Sequence, residues 1–316
     1  MGRHPPCPMA CLAGPVSPLE PVLSTMWLQK RFDHLNDFFA AGRAMGFRQF
    51  EPGTVVTPPM LEGVVPGQQC IPSVHAPCPN VRHASGQSAA GLFASTDEAE
   101  RTWAVSRVKA TIDLAVHLGA RAIVLHAGRV DVSRTLEKQL RDLYPGNKNP
   151  SEYEQARTQL IAARARKQPA NLAAARRSLE EVIPYAQAAG IKLGLETRYY
   201  YCEIPNLEEM HSLLADFPET IYYWHDTGHA QNQANLGFTP HEEWLRAFGS
   251  KTLGVHFHDI RDLKDHLIPG MGEIDFEMVA SYLPDGAIRT CEFDYPFSEE
   301  EMIAGVEFLR RMGCLG

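Results

Sequence analysis

The chain has 316 residues, 44% hydrophobic and 22% charged, a composition that suits a packed core and excludes wholesale disorder. A formal net charge of -8 counts against a nucleic-acid partner held by bulk charge, and no apolar run approaches the ~20 residues of a membrane span, so no membrane partner is expected. Seven cysteines, odd in number and without a C-x-x-C pair, fit a reduced cytoplasmic protein.

The first 25 residues hold six prolines and no long apolar stretch. They fail as a signal peptide and read as a disordered leader ahead of one domain spanning 26–316. Short apolar runs then alternate with helix-length amphipathic stretches. Strands are expected near 23–28, 47–51, 71–75, 121–126, 191–196, 220–226, 252–258 and 287–293. Helices are expected near 33–45, 98–118, 155–189, 206–216, 240–248, 275–283 and 298–312. The 52–70 connection has Pro and Gly but no helical pattern. Residues 131–177 exceed the ~2–6 residues usual after a strand. They carry ten Lys or Arg against five Asp or Glu, a basic helical insertion that reads as a solvated face, an oligomer contact or a lid. In the helix ending at Ala189, Pro184 should produce a kink. In "FTPHEEWLRAFG", Thr239 is expected to cap, Pro240 to open the helix, Glu242 to complete a capping box and Gly249 to end it. Eight strands alternating with helices predict an α/β fold, a (β/α)8 TIM barrel, with an open doubly wound sheet as the alternative. No glycine-rich phosphate loop follows any strand, which favours the barrel.

Titratable residues recur at the C-terminal strand ends: "IPSVH75", "AIVLH126", "IKLGLE196", "IYYWHD226", "LGVH256" and "IRTCE292". Alternation along a strand turns Gly194 and Glu196 inward and Ile191, Leu193 and Leu195 outward. By the same parity His126, His256 and His258 face in, while Ile123, Leu125, Leu253, Val255, Phe257 and Cys291 face out. These ends meet at the mouth where barrel enzymes keep their chemistry. Glu196, Asp226, His256 and Glu292 follow at steps of 30, 30 and 36 residues, about one βα unit each. Three carboxylates and an imidazole would repel one another without a cation. Their mixed oxygen and nitrogen donors suit one divalent ion, manganese first, with Co, Mg, Fe or Zn also compatible.

At these residues the sequence resembles the xylose isomerase-like TIM barrels, which include sugar isomerases and epimerases, inosose dehydratases and apurinic-site endonucleases. The signatures are "GFRQFE", "SVHAP", "VLHAG", "LGLETR", "HDTGHA", "VHFHD", "HLIPGMGEIDF" and "CEFD", in order from about Arg31 to the C-terminus. The resemblance implies that Glu196, Asp226, His256 and Glu292 are metal ligands. It also implies that Glu196 and Glu292 are the acid/base pair and that His229 touches a substrate oxygen. His75, His126, Arg198, His258 and His266 are read beside them as substrate-binding groups, with Glu51 either touching substrate or closing a loop. Tyr199, Tyr200, Tyr201 and Trp224 either wall a sugar pocket or pack. The endonuclease branch departs from this chain at two places. Lys264 stands where a carboxylate for a third ion belongs, and Cys78-Pro79 where a DNA-inserting wedge belongs.

The sequence therefore predicts a metal-dependent isomerase or epimerase acting on a sugar or keto-sugar through a metal-bound enediolate. The alternatives are a lyase on a keto-sugar, cyclitol or keto-glycoside and, further off, the nuclease. The expected partner is a small sugar, with relatives pointing to a dimer or tetramer.

Overall fold

The apolar runs become eight parallel strands of a nearly closed barrel in the computed structural model, which describes residue 17 and residues 19–144 and 149–316. The elements run β1 (Val22–Ser24), α1 (Leu35–Ala44), β2 (Gln49–Glu51), β3 (Ser73–His75), α2 (Ala89–Leu92), α3 (Glu98–Leu118), β4 (Ala122–Leu125), α4 (Arg134–Leu143) and α5 (Pro150–Ala189). They continue with β5 (Lys192–Glu196), α6 (Leu207–Asp216), β6 (Ile221–Asp226), α7 (Thr227–Asn235), α8 (His241–Phe248) and β7 (Thr252–Phe257). A small antiparallel pair, β8 (Asp259–Arg261) and β9 (Lys264–Leu267), precedes α9 (Phe276–Tyr282), β10 (Ile288–Cys291) and α10 (Glu299–Arg311).

Strand pairing passes from β3 through β4, β5, β6, β7, β10 and β1 to β2. The remaining seam is stitched by a bridge between Gln49 and Cys70 and by the His75 amide donating to the Pro52 carbonyl at 2.9 Å. This is a (β/α)8 barrel. Most of the expected leader lies outside the described residues. Its last residues do not, since β1 pairs with β2 and β10. No described helix is long and apolar enough to cross a membrane.

Two apolar layers follow from strand alternation. Ile123, Leu125, Leu193, Leu195, Val255 and Phe257 pack outward beneath the helices. Val22, Ala122, Val124, Trp224, Leu253 and Ile288 fill the barrel. Leu253 was expected outward. The pairing of β6 with β7 shifts register between Tyr223 and Trp224, and that irregularity brings Leu253 to the inner cluster. The Trp224 indole is fully buried and flanked by glycines. A Cβ on Gly194 would lie 2.8 Å from its ring, and one on Gly254 would overlap it. Trp224 is therefore the packed floor of the barrel and walls no sugar pocket.

Several local expectations change. Pro240 is the cap of α8, which begins at His241, so Thr239 and the capping box are displaced. Helix α5 begins five residues early and continues through Pro169 and Pro184, both on its exposed side, where the freed carbonyls can meet water. The 52–70 connection contains a 3₁₀ turn at Pro58–Leu61. The basic insertion divides into α4 and the first part of α5. Its α4 is tied to the mouth: the Glu137 carboxylate accepts the backbone N–H of Tyr201 at 2.6 Å and of Cys202 at 3.4 Å.

Candidate metal centre and active site

Four neighbouring strands deliver the central cluster. β5 ends on Glu196, β6 on Asp226, β7 carries His256 near its end, and Glu292 follows the last residue of β10. Asp226 pairs with His256, and His256 with Thr290, so the side chains reach one level. One ligating atom from each of the four lies within 4.8 Å of all the others. Glu196, Asp226 and His256 are fully buried, and Glu292 is 6% exposed toward the mouth.

His256 is the hub. Its Nδ1 lies 2.6 Å from Glu196 Oε1, 3.3 Å from Glu292 Oε2 and 3.7 Å from Asp226 Oδ2. Its Nε2 faces Glu51 Oε1 at 2.9 Å. Glu51, the strand-end residue left between two readings, is thus fully buried behind His256. Its other oxygen accepts from Ser73 Oγ at 2.5 Å and Thr290 Oγ1 at 3.3 Å. Glu51 fixes the imidazole with its proton on Nε2 and Nδ1 turned into the cluster, the arrangement that orients a ligating histidine. Burial opposes a charged His256, but the Glu292 and Glu51 carboxylates outweigh it and raise its pKa well above the ordinary value, so an ion entering the cluster would displace a proton from Nδ1.

Asp226 does two jobs at the join of β6 and α7. Its Oδ1 accepts the His229 N–H at 2.8 Å, capping α7, and lies 2.9 Å from His258 Nε2. Its Oδ2 is buried without a hydrogen-bond partner. An orphaned carboxylate oxygen beside two more carboxylates is the vacancy in bonding that a cation fills. Three clustered carboxylates against the single guanidinium of Arg198 leave a negative excess that a divalent ion would offset. The donor set fits a divalent ion.

The other candidate residues divide. His126 Nε2 lies 2.7 Å from Glu196 Oε2 and 3.2 Å from His75 Nε2, so both histidines join the cluster on the β5 side. Arg198 is nearly buried and donates to Glu196 Oε2, with Glu203 at 3.4 Å. It was read as a substrate group; the structure turns it onto the carboxylate. Burial opposes ionisation of Glu196, yet the Arg198 guanidinium holds its carboxyl well below the usual range. A second dication beside His75, His126 and Glu196 would face that guanidinium directly.

His258 is fully buried and also differs from expectation. Its Nδ1 accepts the His266 N–H at 2.9 Å and its Nε2 addresses Asp226, which leaves no ring nitrogen for substrate. His229, His258 and His266 are clustered closely enough to hold an ion. The commitments of His258 remove the third lone pair such a site requires. His229 and His266 anchor their Nδ1 atoms on the carbonyls of Thr197 at 2.9 Å and Glu292 at 3.1 Å. That leaves each Nε2 for the mouth. Asp259 accepts four backbone N–H groups of residues 270–274, besides that of Ile260, and so organises a loop. Cys78 is buried, its N–H donating to Thr111 Oγ1 at 3.0 Å, so its side chain does not project where a DNA wedge would stand.

The family model described as "Xylose isomerase-like TIM barrel" matches residues 71–312. No curated protein matches the sequence. Among solved structures, a putative xylose isomerase from Rhodospirillum rubrum superposes with a TM-score of 0.65 at 16% identity, covering 93% of this chain and 99% of the other. A D-psicose 3-epimerase from Clostridium cellulolyticum, solved with D-tagatose, gives 0.64 at 14% identity over 93% and 99%. The IOLI protein, solved with a bound zinc atom, gives 0.61 at 16% identity over 93% and 98%.

Proposed function

Because the chain belongs to the xylose isomerase-like TIM barrel family, we propose that it is a divalent-metal-dependent isomerase or epimerase of a sugar or keto-sugar. The observation that carries this reading is the convergence of Glu196, Asp226, His256 and Glu292 around the partnerless Asp226 Oδ2. These four would hold the ion, with manganese the first choice. When bound, such an ion supplies Lewis acidity, polarising a substrate carbonyl and acidifying the adjacent C–H.

The chain's own groups do the rest. Glu196, kept ionised by Arg198, would take the proton from carbon, leaving an enediolate. Glu292, separated from Glu196 by the two intervening strands β6 and β7 and 6% exposed toward the mouth, returns a proton from another side. His229 and His266 offer Nε2 atoms to substrate hydroxyls, and His126 lies beside Glu196 at the rim. The buried Cys78 and the exposed Lys264 argue against the nuclease.

Turnover of keto-sugars in heavy water tests the assignment. Deuterium should enter the carbon next to the carbonyl in a product of otherwise unchanged mass. Glu196→Gln or Glu292→Gln, reloaded with excess manganese, should lose ~10²–10⁴-fold in exchange rate. A product lighter by water would replace the isomerase with a lyase. Metal-loaded protein that binds keto-sugars but never exchanges would end the acid/base assignment.

A further inference from the structure

Beside the mouth, between α4 and the loops after β3 and β4, lies a cavity of about 730 Å³ whose lining includes Arg82, Arg129, Arg134, Lys138 and Arg141. Arg134, Lys138 and Arg141 fall at i, i+4 and i+7 on α4, one helical face. Three acids line the same space, and each is engaged. Glu137 holds two backbone amides, Glu203 pairs with Arg198, and Asp142 pairs with Lys138 at 2.5 Å. Among the described residues no carboxylate lies within ion-pair distance of Arg82, Arg129, Arg134 or Arg141. Four guanidiniums are thus unneutralised around one cavity in a chain of net charge -8.

Two of them are held in place. Arg129 donates to the Val132 carbonyl at 3.1 Å. Arg141 donates to Tyr199 Oη and to Asn232 Oδ1, and its guanidinium lies 4.3 Å from the Tyr199 ring centroid. The cavity also adjoins a second space that reaches a neighbour of the reacting centre. An adjoining space of about 530 Å³ shares Arg82, Ser88 and Ala90 with it and is lined by Lys30 and His126. His126 is the residue 2.7 Å from Glu196.

We propose that this cavity binds an oxyanion, a phosphate or a carboxylate, carried by the substrate away from its reacting carbons. The inference rests on the sugar-isomerase reading and narrows it to anionic sugars. Planar forks suit either group, since guanidinium pairs with both in bidentate fashion. Arg82 and Arg134 are exposed and their side chains make no hydrogen bond among the described residues, so truncating them spares the fold.

The test uses the manganese-loaded full chain and two readouts. Inorganic phosphate titrated by calorimetry should bind wild type. Arg134→Ala and Arg82→Ala should each weaken it about tenfold, with bound manganese unchanged. In heavy-water exchange, keto-sugar phosphates or keto-uronates should exceed uncharged keto-sugars at least tenfold in kcat/KM. That preference should shrink toward unity in the double variant. Preference for the phosphate series or for the uronate series identifies which oxyanion is carried. Equal kcat/KM for charged and uncharged sugars, or phosphate affinity untouched by both substitutions, overturns the proposal. If no sugar exchanges while phosphate binding still falls in the variants, the isomerase reading fails and the anion site stands.

Discussion

Replacing Glu51 should weaken metal binding while leaving the barrel folded. One Glu51 oxygen takes the His256 Nε2–H at 2.9 Å; the other accepts from Ser73 at 2.5 Å. Glu51→Gln keeps the volume and an acceptor for His256, and the Ser73 hydroxyl can turn to accept from the new amide. What it loses is the charge that makes the imidazole a better donor. Glu51→Ala removes the acceptor as well and strands a buried N–H, which costs about 1–3 kcal/mol of stability. Partners of ligating histidines typically contribute about 10–100-fold in metal affinity. That corresponds to about 1.4–2.7 kcal/mol, with Gln near the lower figure and Ala near the upper. Competition of manganese against a chromophoric chelator measures the affinity, and circular dichroism with thermal melting checks the fold. If both variants are folded and bind manganese like wild type, His256 is not oriented by Glu51 and its Nδ1 is not the ligand atom.

Metal analysis of dialysed protein should find about one tightly held ion per chain, because Arg198 faces one alternative cluster and His258 is fully committed at the other; three ions would overturn that argument. Gly254→Ala drives a methyl into the Trp224 ring and should destabilise by about 1–3 kcal/mol, with partial rescue by Trp224→Leu in denaturant unfolding. A double mutant no better than the single would place the clash elsewhere. His241 is buried against His225 at 3.0 Å, and burial lowers its pKa from 6.5 to about 4. A depressed folded pKa means the unfolded chain binds more protons, so its stability contribution is complete above pH 6.5 and lost as pH falls toward 4, by about 3 kcal/mol. Urea midpoints across that range should slope accordingly and flatten in His241→Gln; an unchanged slope would assign the effect to other groups.

The convergence of the central four residues at one mouth was legible because strand parity and βα spacing are periodic, and both survive in a barrel. What failed was not periodic. Helix α7, "TGHAQNQAN", has no apolar repeat and starts without a linker, its cap being Asp226, the last residue of β6. Helix α4 shows few apolar positions because its contacts to the mouth are polar, through Glu137 and Arg141. Arg198 lies two residues past its strand, where parity no longer predicts direction, and it folds back onto Glu196. His258 obeyed parity, yet parity says nothing of a ring whose Nδ1 already accepts the His266 N–H and whose Nε2 faces Asp226. Leu253 was misplaced by a one-residue irregularity that only the neighbouring strand reveals.

Trp224 makes positions 194, 224 and 254 a single unit of inheritance. A barrel layer ordinarily divides its volume among about four side chains; here one indole takes the share that β5 and β7 surrender as glycine. Single-step drift is closed in both directions. Enlarging either glycine collides with the ring. Shrinking the ring first opens a hole beneath His256, whose ring centroid lies 5.2 Å from the indole. Water entering that hole would hydrate a centre whose charges depend on being dry. A floor that touches no substrate is thereby held as fixed as the ligands above it, and only concerted change at two or three sites could redraw the depth of the pocket.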